Sequence, residues 1–327
     1  MLAEIEITPW HWAGFVICIL VLLALDLGVF HRRAHVVSFK EALGWTLVWF
    51  ALAMGFAFAL VPFRGRDDAI NFVTGYLVEL ALSMDNVFVM ALIFGYFAVP
   101  SQYQHRVLYW GILGALVMRG LMIGVGAVLI ARFHWMLYVF GGFLVLTGIK
   151  MMFTGEQGVQ PEKNPFIRLA RKFFRVATDF DGHKFTTTVD AHHRPVALSA
   201  TTGPGVAAAH RVLTPLALVL VMVETTDLVF ALDSIPAIFA VTQDSFIVFT
   251  SNVFAILGLR SLYFVLAGAI RYFHFLKYGL SIVLIFIGAK MLAKSWLEIP
   301  TAGSLLIVAG IIVVSIIASV CLTRRAK

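Results

Sequence analysis

Twice the chain places carboxylates in the middle of an apolar run, first as Glu79-Leu-Ala-Leu-Ser-Met-Asp85-Asn86-Val-Phe-Val and again as Asp227-Leu-Val-Phe-Ala-Leu-Asp233-Ser234-Ile-Pro-Ala. Runs of roughly 18 to 25 mostly apolar residues recur along the length, each sufficient to cross about 30 Å of hydrocarbon as a helix. They are continuous rather than alternating, which selects helices over a β-barrel. The composition, 61% hydrophobic and 13% charged, agrees, since a soluble domain is roughly half apolar. The expected fold class is therefore an all-α polytopic membrane protein, with residues 1–327 forming a single membrane domain in the lipid bilayer. An acid at bilayer depth costs at least about 2.5 kcal/mol, so it marks a site that binds, moves or balances charge.

About nine spans are expected, at 10–31, 41–63, 69–97, 106–131, 134–153, 213–240, 245–270, 275–294 and 301–322. Lys and Arg outside them or close to their ends, Arg106, Lys277 and Lys294 included, divide 17 to 4 between the two sides, or 9 to 4 with the long loop set aside. Basic residues mark the cytoplasmic side, which predicts an external N-terminus and a cytoplasmic C-terminus. The net charge of +7 is thus mostly topology, and no nucleic-acid partner is needed to explain it. Cys18 and Cys321 fall inside apolar spans as small fillers, and no disulfide framework or thiolate metal site can be built from them. The N-terminus carries Glu4 and Glu6 without a basic residue, so the first run is expected to remain in the mature protein.

Four basic residues fall within spans, and their contexts pair: Met118-Arg119-Gly with Leu259-Arg260-Ser, and Gly148-Ile-Lys150-Met-Met with Gly288-Ala-Lys290-Met-Leu. The order acidic helix, arginine helix, Gly-x-Lys-Met helix therefore occurs twice, over 69–153 and 213–294. Because each unit has three helices, the second enters the membrane upside down relative to the first, the pattern of an inverted-topology repeat. A final span follows at 301–322. Between the repeats, 154–212 is expected as a cytoplasmic loop opening with an amphipathic helix over 165–177. Its phenylalanines and Arg168, Arg171, Lys172 and Arg175 suit anionic lipid at the leaflet surface. Further on, Lys184–Val189 and Val196–Ala200 flank Asp190–Pro195 as the arms of a short hairpin. His192 and His193, in its turn, are expected to be solvated.

Six acids lie inside the spans, Asp26, Glu79, Asp85, Glu224, Asp227 and Asp233, against the four bases Arg119, Lys150, Arg260 and Lys290. The two arginines are expected as structural charge partners, since a guanidinium is planar and always charged. The lysines can either pair with an acid or snorkel to an interface. The surplus of two negative charges calls for a divalent cation or protons. Carboxylates beside Ser83, Asn86, Thr225, Thr226, Ser234 and Asn252 make an oxygen-rich set suited to manganese, calcium or magnesium rather than zinc or copper. Proton coupling is equally natural for carboxylates that move between wet and dry surroundings. On an unbroken helix, residues six apart differ by about 240° in azimuth and about 9 Å in height, so Glu79 and Asp85, or Asp227 and Asp233, cannot chelate one ion alone. Pro236 is expected to break its helix beside Asp233 and so free backbone carbonyls as ligands.

At these residues the sequence resembles the TerC family of integral membrane proteins, closest to its Alx-type members, within the LysE transporter superfamily. The resemblance lies in Glu79–Val89, Glu224–Ala237 and Thr250–Arg260, with Tyr138–Met152 and Lys277–Met291 in support. It implies a multi-pass protein of the bacterial inner membrane that exports Mn²⁺ or handles related divalent cations such as Ca²⁺. It also implies metal ligation by Glu79, Asp85, Asn86, Glu224, Asp227 and Asp233, with Asp26 contributing. The function expected is thus a divalent-cation transporter, most directly a Mn²⁺ exporter with proton coupling, and not an enzyme. A reading of a different class is a membrane scaffold or stress-response protein, associated with tellurite resistance, that holds a structural cation. An intramembrane aspartyl protease is disfavoured, because no Gly-x-Gly-Asp stretch accompanies Asp85 and Asp233.

Overall fold

The structure is a computed structural model, describing residues 8–25, 38–153, 164–189 except 175, 178 and 183, 210–269, 276–294, 296 and 299–325. Its helices are α1 (Pro9–Leu25), α2 (Phe39–Arg64), α3 (Arg66–Tyr96), α4 (Ser101–Arg132), α5 (Met136–Phe153), α6 (Pro165–Phe173), α7 (Pro215–Phe239), α8 (Ser245–Ala269), α9 (Leu276–Ala293) and α10 (Thr301–Arg325). A two-stranded antiparallel sheet, β1 (Thr186–Val189) with β2 (His210–Leu213), lies between α6 and α7. Seven helices are long and apolar enough to cross a membrane: α2, α3, α4, α5, α7, α8 and α10. Helices α1 and α9 fall where the other two expected spans were placed, with 17 and 18 residues. The chain is a polytopic, almost entirely helical membrane protein.

Local chemistry sets the helix ends. The Ser38 hydroxyl accepts from the Glu41 amide to cap α2. A single residue, Gly65 at φ 90°, turns α2 into α3, a backbone conformation that glycine adopts without a Cβ clash. Pro215 occupies the first turn of α7, where the missing N–H has no intrahelical partner to lose. The lipid-facing surface follows from the apolar excess. On α4 the exposed stripe is Val117, Leu121, Val125 and Val128, while Arg119 points inward and is buried. Helix α8 is enclosed by α2, α3 and α4, and its segment 251–262 is buried throughout.

Helices α3–α5 and α7–α9 interlock pair by pair. Helix α3 packs on α8 as α4 packs on α7, and α5 packs on α9 in the most extensive pairing of the bundle. The α5–α9 contact runs antiparallel through glycine. A Cβ on Gly288 would lie 2.6 Å from the Gly141 carbonyl oxygen, and one on Gly148 would lie 2.8 Å from the Ser281 carbonyl oxygen. These two contacts interconvert when equivalent positions of the Gly-x-Lys-Met helices are exchanged. Gly75 on α3 likewise meets Ser251 of α8, as Gly111 on α4 meets Val223 of α7. In hydrocarbon, where apolar side chains gain nothing by leaving lipid, such close backbone approach is the main attraction between helices.

Three sequence expectations change. Helix α7 runs unbroken through Pro236 to Phe239. The proline loses one hydrogen bond only three residues before the helix ends, too late for a break beside Asp233. The amphipathic helix stops at Phe173, because Val176 pairs with Leu213 and draws the chain into the sheet. Strand β1 begins near the expected first arm, but its partner is His210–Leu213 in the register Thr187↔Val212. The expected second arm, 196–200, and the turn bearing His192 and His193 lie outside the described residues, as does Asp26.

Replacing Gly288 by Leu should overpack α5 against α9 and cost about 1–3 kcal/mol. Gly142→Leu, where the added Cβ meets no atom within 4 Å, should be close to neutral, and thermal unfolding of the two variants in detergent measures the difference.

Candidate charge-relay and cation site

The first acid of each motif copy converges on one arginine. Glu79 (α3), Asp227 (α7) and Arg119 (α4) are 0%, 3% and 1% exposed. Arg119 Nη1 donates to Glu79 Oε1. From the other edge of the guanidinium, Nη2 reaches Asp227 Oδ1 at 3.1 Å and Nε reaches Oδ2 at 3.3 Å, a two-pronged clamp. Nη1 also lies 3.3 Å from Ser234 Oγ, in the second copy of the motif. With its amide oriented so that the carbonyl faces Arg119, Asn86 accepts from Nη2 at 3.3 Å and donates to the Leu82 carbonyl at 3.3 Å. Ser83 Oγ donates to Glu79 Oε1 at 3.5 Å, one helical turn away. The helical period is what gathers these groups: Glu79, Ser83 and Asn86 share one face of α3, as Asp227 and Ser234 share one face of α7.

Polar capacity is left over around this clamp. Glu79 Oε2 and both amide atoms of Asn252 are buried with no hydrogen-bond partner among the described residues. Val248 belongs to one apolar cluster with Ile123, and Ile256 to another with Ile112 and Ala115. Glu224 is half-buried, and its carboxylate lies directly over Gly114 of α4, where any side chain would collide with it. It also stands within electrostatic reach of Asp227.

The second acid of each copy occupies a separate layer. Asp233 hydrogen-bonds Thr147 and interacts with Lys150, both on α5, and with Asp85. Asp85 in turn faces Lys277 at the start of α9. Both aspartates are half-buried. The six-residue spacing explains the separation, since it places Glu79 and Asp85, or Asp227 and Asp233, on different sides of their helices. Among the described residues no three His, Cys, Asp or Glu side chains converge as a metal cluster. Arg119 fills the space between Glu79 and Asp227.

The other span bases divide. Lys290 Nζ donates to Ser304 Oγ of α10 at 2.8 Å. Arg260 is buried and meets His105 Nε2 of α4 at 3.2 Å through Nη1. A small pocket separates Arg260 from Asp227, lined also by Leu108, Gly111, Ala115 and Val223. His105, Thr147, Lys277 and Gly114 were not singled out from the sequence. His105 and Lys277 sit near span ends, and Thr147 and Gly114 carry no charge, so none interrupts an apolar run in the way that Arg119 does. Asn164, the N-cap of α6, donates through Nδ2 to Thr225 Oγ1 at 3.0 Å, which ties the inter-repeat segment to the residue next to Glu224.

Comparison with known proteins adds the following. Residues 64–327 match the family described as "Integral membrane protein TerC family". The chain is 48% identical over 319 residues to the "Uncharacterized membrane protein STKORF319" of Myxococcus xanthus, covering 98% of this chain and 94% of that protein. It is 45% identical over 327 residues to the "Putative membrane-bound redox modulator Alx" of Escherichia coli strain K12, covering 97% and 96%. A relative from Rickettsia bellii, named "Uncharacterized membrane protein", is 38% identical over 309 residues, covering 94% and 96%. No solved structure matches.

Removing one side of the buried clamp strands the other. Arg119→Gln should therefore destabilise the bundle by about 3–5 kcal/mol. The triple variant Arg119→Gln, Glu79→Gln, Asp227→Asn should recover most of that loss, read by denaturant titration in detergent.

Proposed function

The chain belongs to the TerC family of integral membrane proteins, and from that premise we propose that it carries a divalent cation, manganese foremost, across the bacterial inner membrane through the acidic layers of α3 and α7. The observation that carries this reading is the facing of two copies of one acidic motif inside a bundle whose remaining interior is largely apolar. Their donors are carboxylate, hydroxyl and amide oxygens, a set suited to a hard cation. Glu79, Asp85, Asn86, Glu224, Asp227 and Asp233 are the ligands proposed, with Asp26 as a further contributor. Arg119 holds Glu79 and Asp227 in the conformation described. Cation binding at those two acids therefore requires the guanidinium to withdraw.

The interlocked triplets, 69–153 and 213–294, are proposed as an inverted-topology repeat that rocks about this site. The exchangeable contacts of Gly141 with Gly288 and of Gly148 with Ser281 support it. Protonation of the carboxylates as the cation leaves would close the charge balance. The orientation proposed is N-terminus outside and C-terminus cytoplasmic. Exposed Phe166, Leu169, Phe173 and Phe174 on and just after α6, among basic residues, support contact of that segment with anionic lipid. The redox role in the name of the Escherichia coli relative is said of that protein alone; here Cys18 is a free thiol exposed on α1.

In proteoliposomes loaded with Mn²⁺, Asp85→Asn and Asp233→Asn should each lower flux by at least about tenfold, equivalent to about 1.4 kcal/mol. Wild-type flux in both variants would remove the assignment. Calorimetric titration of the purified protein should show Mn²⁺ binding, and heat from Ca²⁺ alone would give the site to calcium instead.

A further inference from the structure

The two motif copies are equivalent in sequence but are held unequally. Arg119 and Arg260 occupy the same place in their triplets, as do Glu79 and Asp227, and Asn86 and Ser234. Arg119 makes two bonds to Asp227 and one each to Glu79, Ser234 and Asn86. Exchanging equivalent positions gives a second clamp, in which Arg260 makes two bonds to Glu79 and one each to Asp227, Asn86 and Ser234. In the conformation described Arg260 faces His105 instead. Two features fit the missing clamp. Glu79 Oε2, the oxygen a second bond would need, is buried and has no hydrogen-bond partner among the described residues. A pocket also lies between Arg260 and Asp227, with small residues Gly111 and Ala115 in its wall.

From this we infer that Arg119 and Arg260 are alternating clamps on the Glu79–Asp227 pair, one engaged in each of two conformations related by exchange of the triplets. The inference rests on the transport reading above. It assigns both arginines as positioning residues: each in turn neutralises the acids in hydrocarbon, and the cation binds between the release of one and the arrival of the other. The described conformation is the Arg119-engaged one. Its pocket is lined by Leu108 and not by the equivalent residue Phe249.

Cysteine reporters test this in full-length protein with Cys18→Ser and Cys321→Ser. Leu108→Cys and Phe249→Cys are labelled separately with N-ethylmaleimide, which reacts with hydrated thiolates, and the ratio of their rates is followed without metal. Arg260→Gln should hold the Arg119-engaged state and raise labelling at 108 relative to 249 by about threefold or more, whereas Arg119→Gln should lower it by a similar factor. Arg260→Lys should fall between Arg260→Gln and the parent. Should Arg119→Gln fail to give monodisperse protein, the Arg260 pair decides. An unchanged ratio in Arg260→Gln, or shifts in the same direction for both arginines, overturns the inference, since a merely structural arginine has no reason to move the two reporters oppositely. Mn²⁺ flux measured in the same preparations keeps the two readings apart. Opposed shifts without parental flux would sink the transport reading and leave the clamps standing, and flux with like-signed shifts would do the reverse.

Discussion

The bundle depends on one buried guanidinium that bonds two carboxylates at once. Left alone in hydrocarbon, Glu79 and Asp227 would each carry the full desolvation cost of a buried charge, and Arg119 would carry its own. Together they share hydrogen bonds across three helices, so the polar interior is also the element that fixes how α3, α4 and α7 meet. Lysine could not substitute on equal terms, because a point charge cannot reach both edges of the arrangement that the planar fork spans. Ser83, Ser234 and Asn86 complete the shell with groups that cost little to bury once bonded.

Such a clamp can form only if the helices approach closely, and here the small residues decide. Glu224 fits because position 114 has no side chain, and α5 meets α9 through Gly141, Gly148 and Gly288. The charged network and the glycine contacts are therefore one design. Burial of Arg119 and its partners keeps them from bulk water, and the low local dielectric strengthens every bond that Arg119 makes.

Much of this was legible in the chain, because hydrocarbon makes charge conspicuous. Arg119, Glu79 and Asp227 each interrupt an apolar run, and the recurrence of their contexts ordered the helices before any packing was known. What was illegible was the partition of the acids. Helical azimuth shows that Glu79 and Asp85 cannot chelate one ion alone, but it does not show that Asp85 and Asp233 would meet each other beside Lys150, Thr147 and Lys277. That layer is built from residues whose neighbours come from other helices. Pro236 misled for a similar reason, since its effect depends on where the helix ends, and the end of α7 is set by the turn that follows it.

The partition also relocates the surplus charge. In the outer arrangement Asp85 and Asp233 stand with Lys150 and Lys277, two formal charges of each sign. In the inner one, Glu79 and Asp227 share the single positive charge of Arg119, and Glu224 adds another carboxylate over Gly114. Among these described groups the formal negative excess therefore sits around Asp227 and Glu224, and Asp227 borders the pocket that Arg260 also lines. On the proposed reading, a cation drawn into the bundle would meet these carboxylates with Arg119 already on both oxygens of Asp227. Its arrival would weaken the hold of the arginine by competition for the same oxygens. Because the guanidinium carries one charge and a divalent ion two, the exchange moves the inner layer toward neutrality rather than away from it. On the proposed transport reading, the electrostatics of the layer would thus favour release of the clamp when the site fills and its return when the site empties.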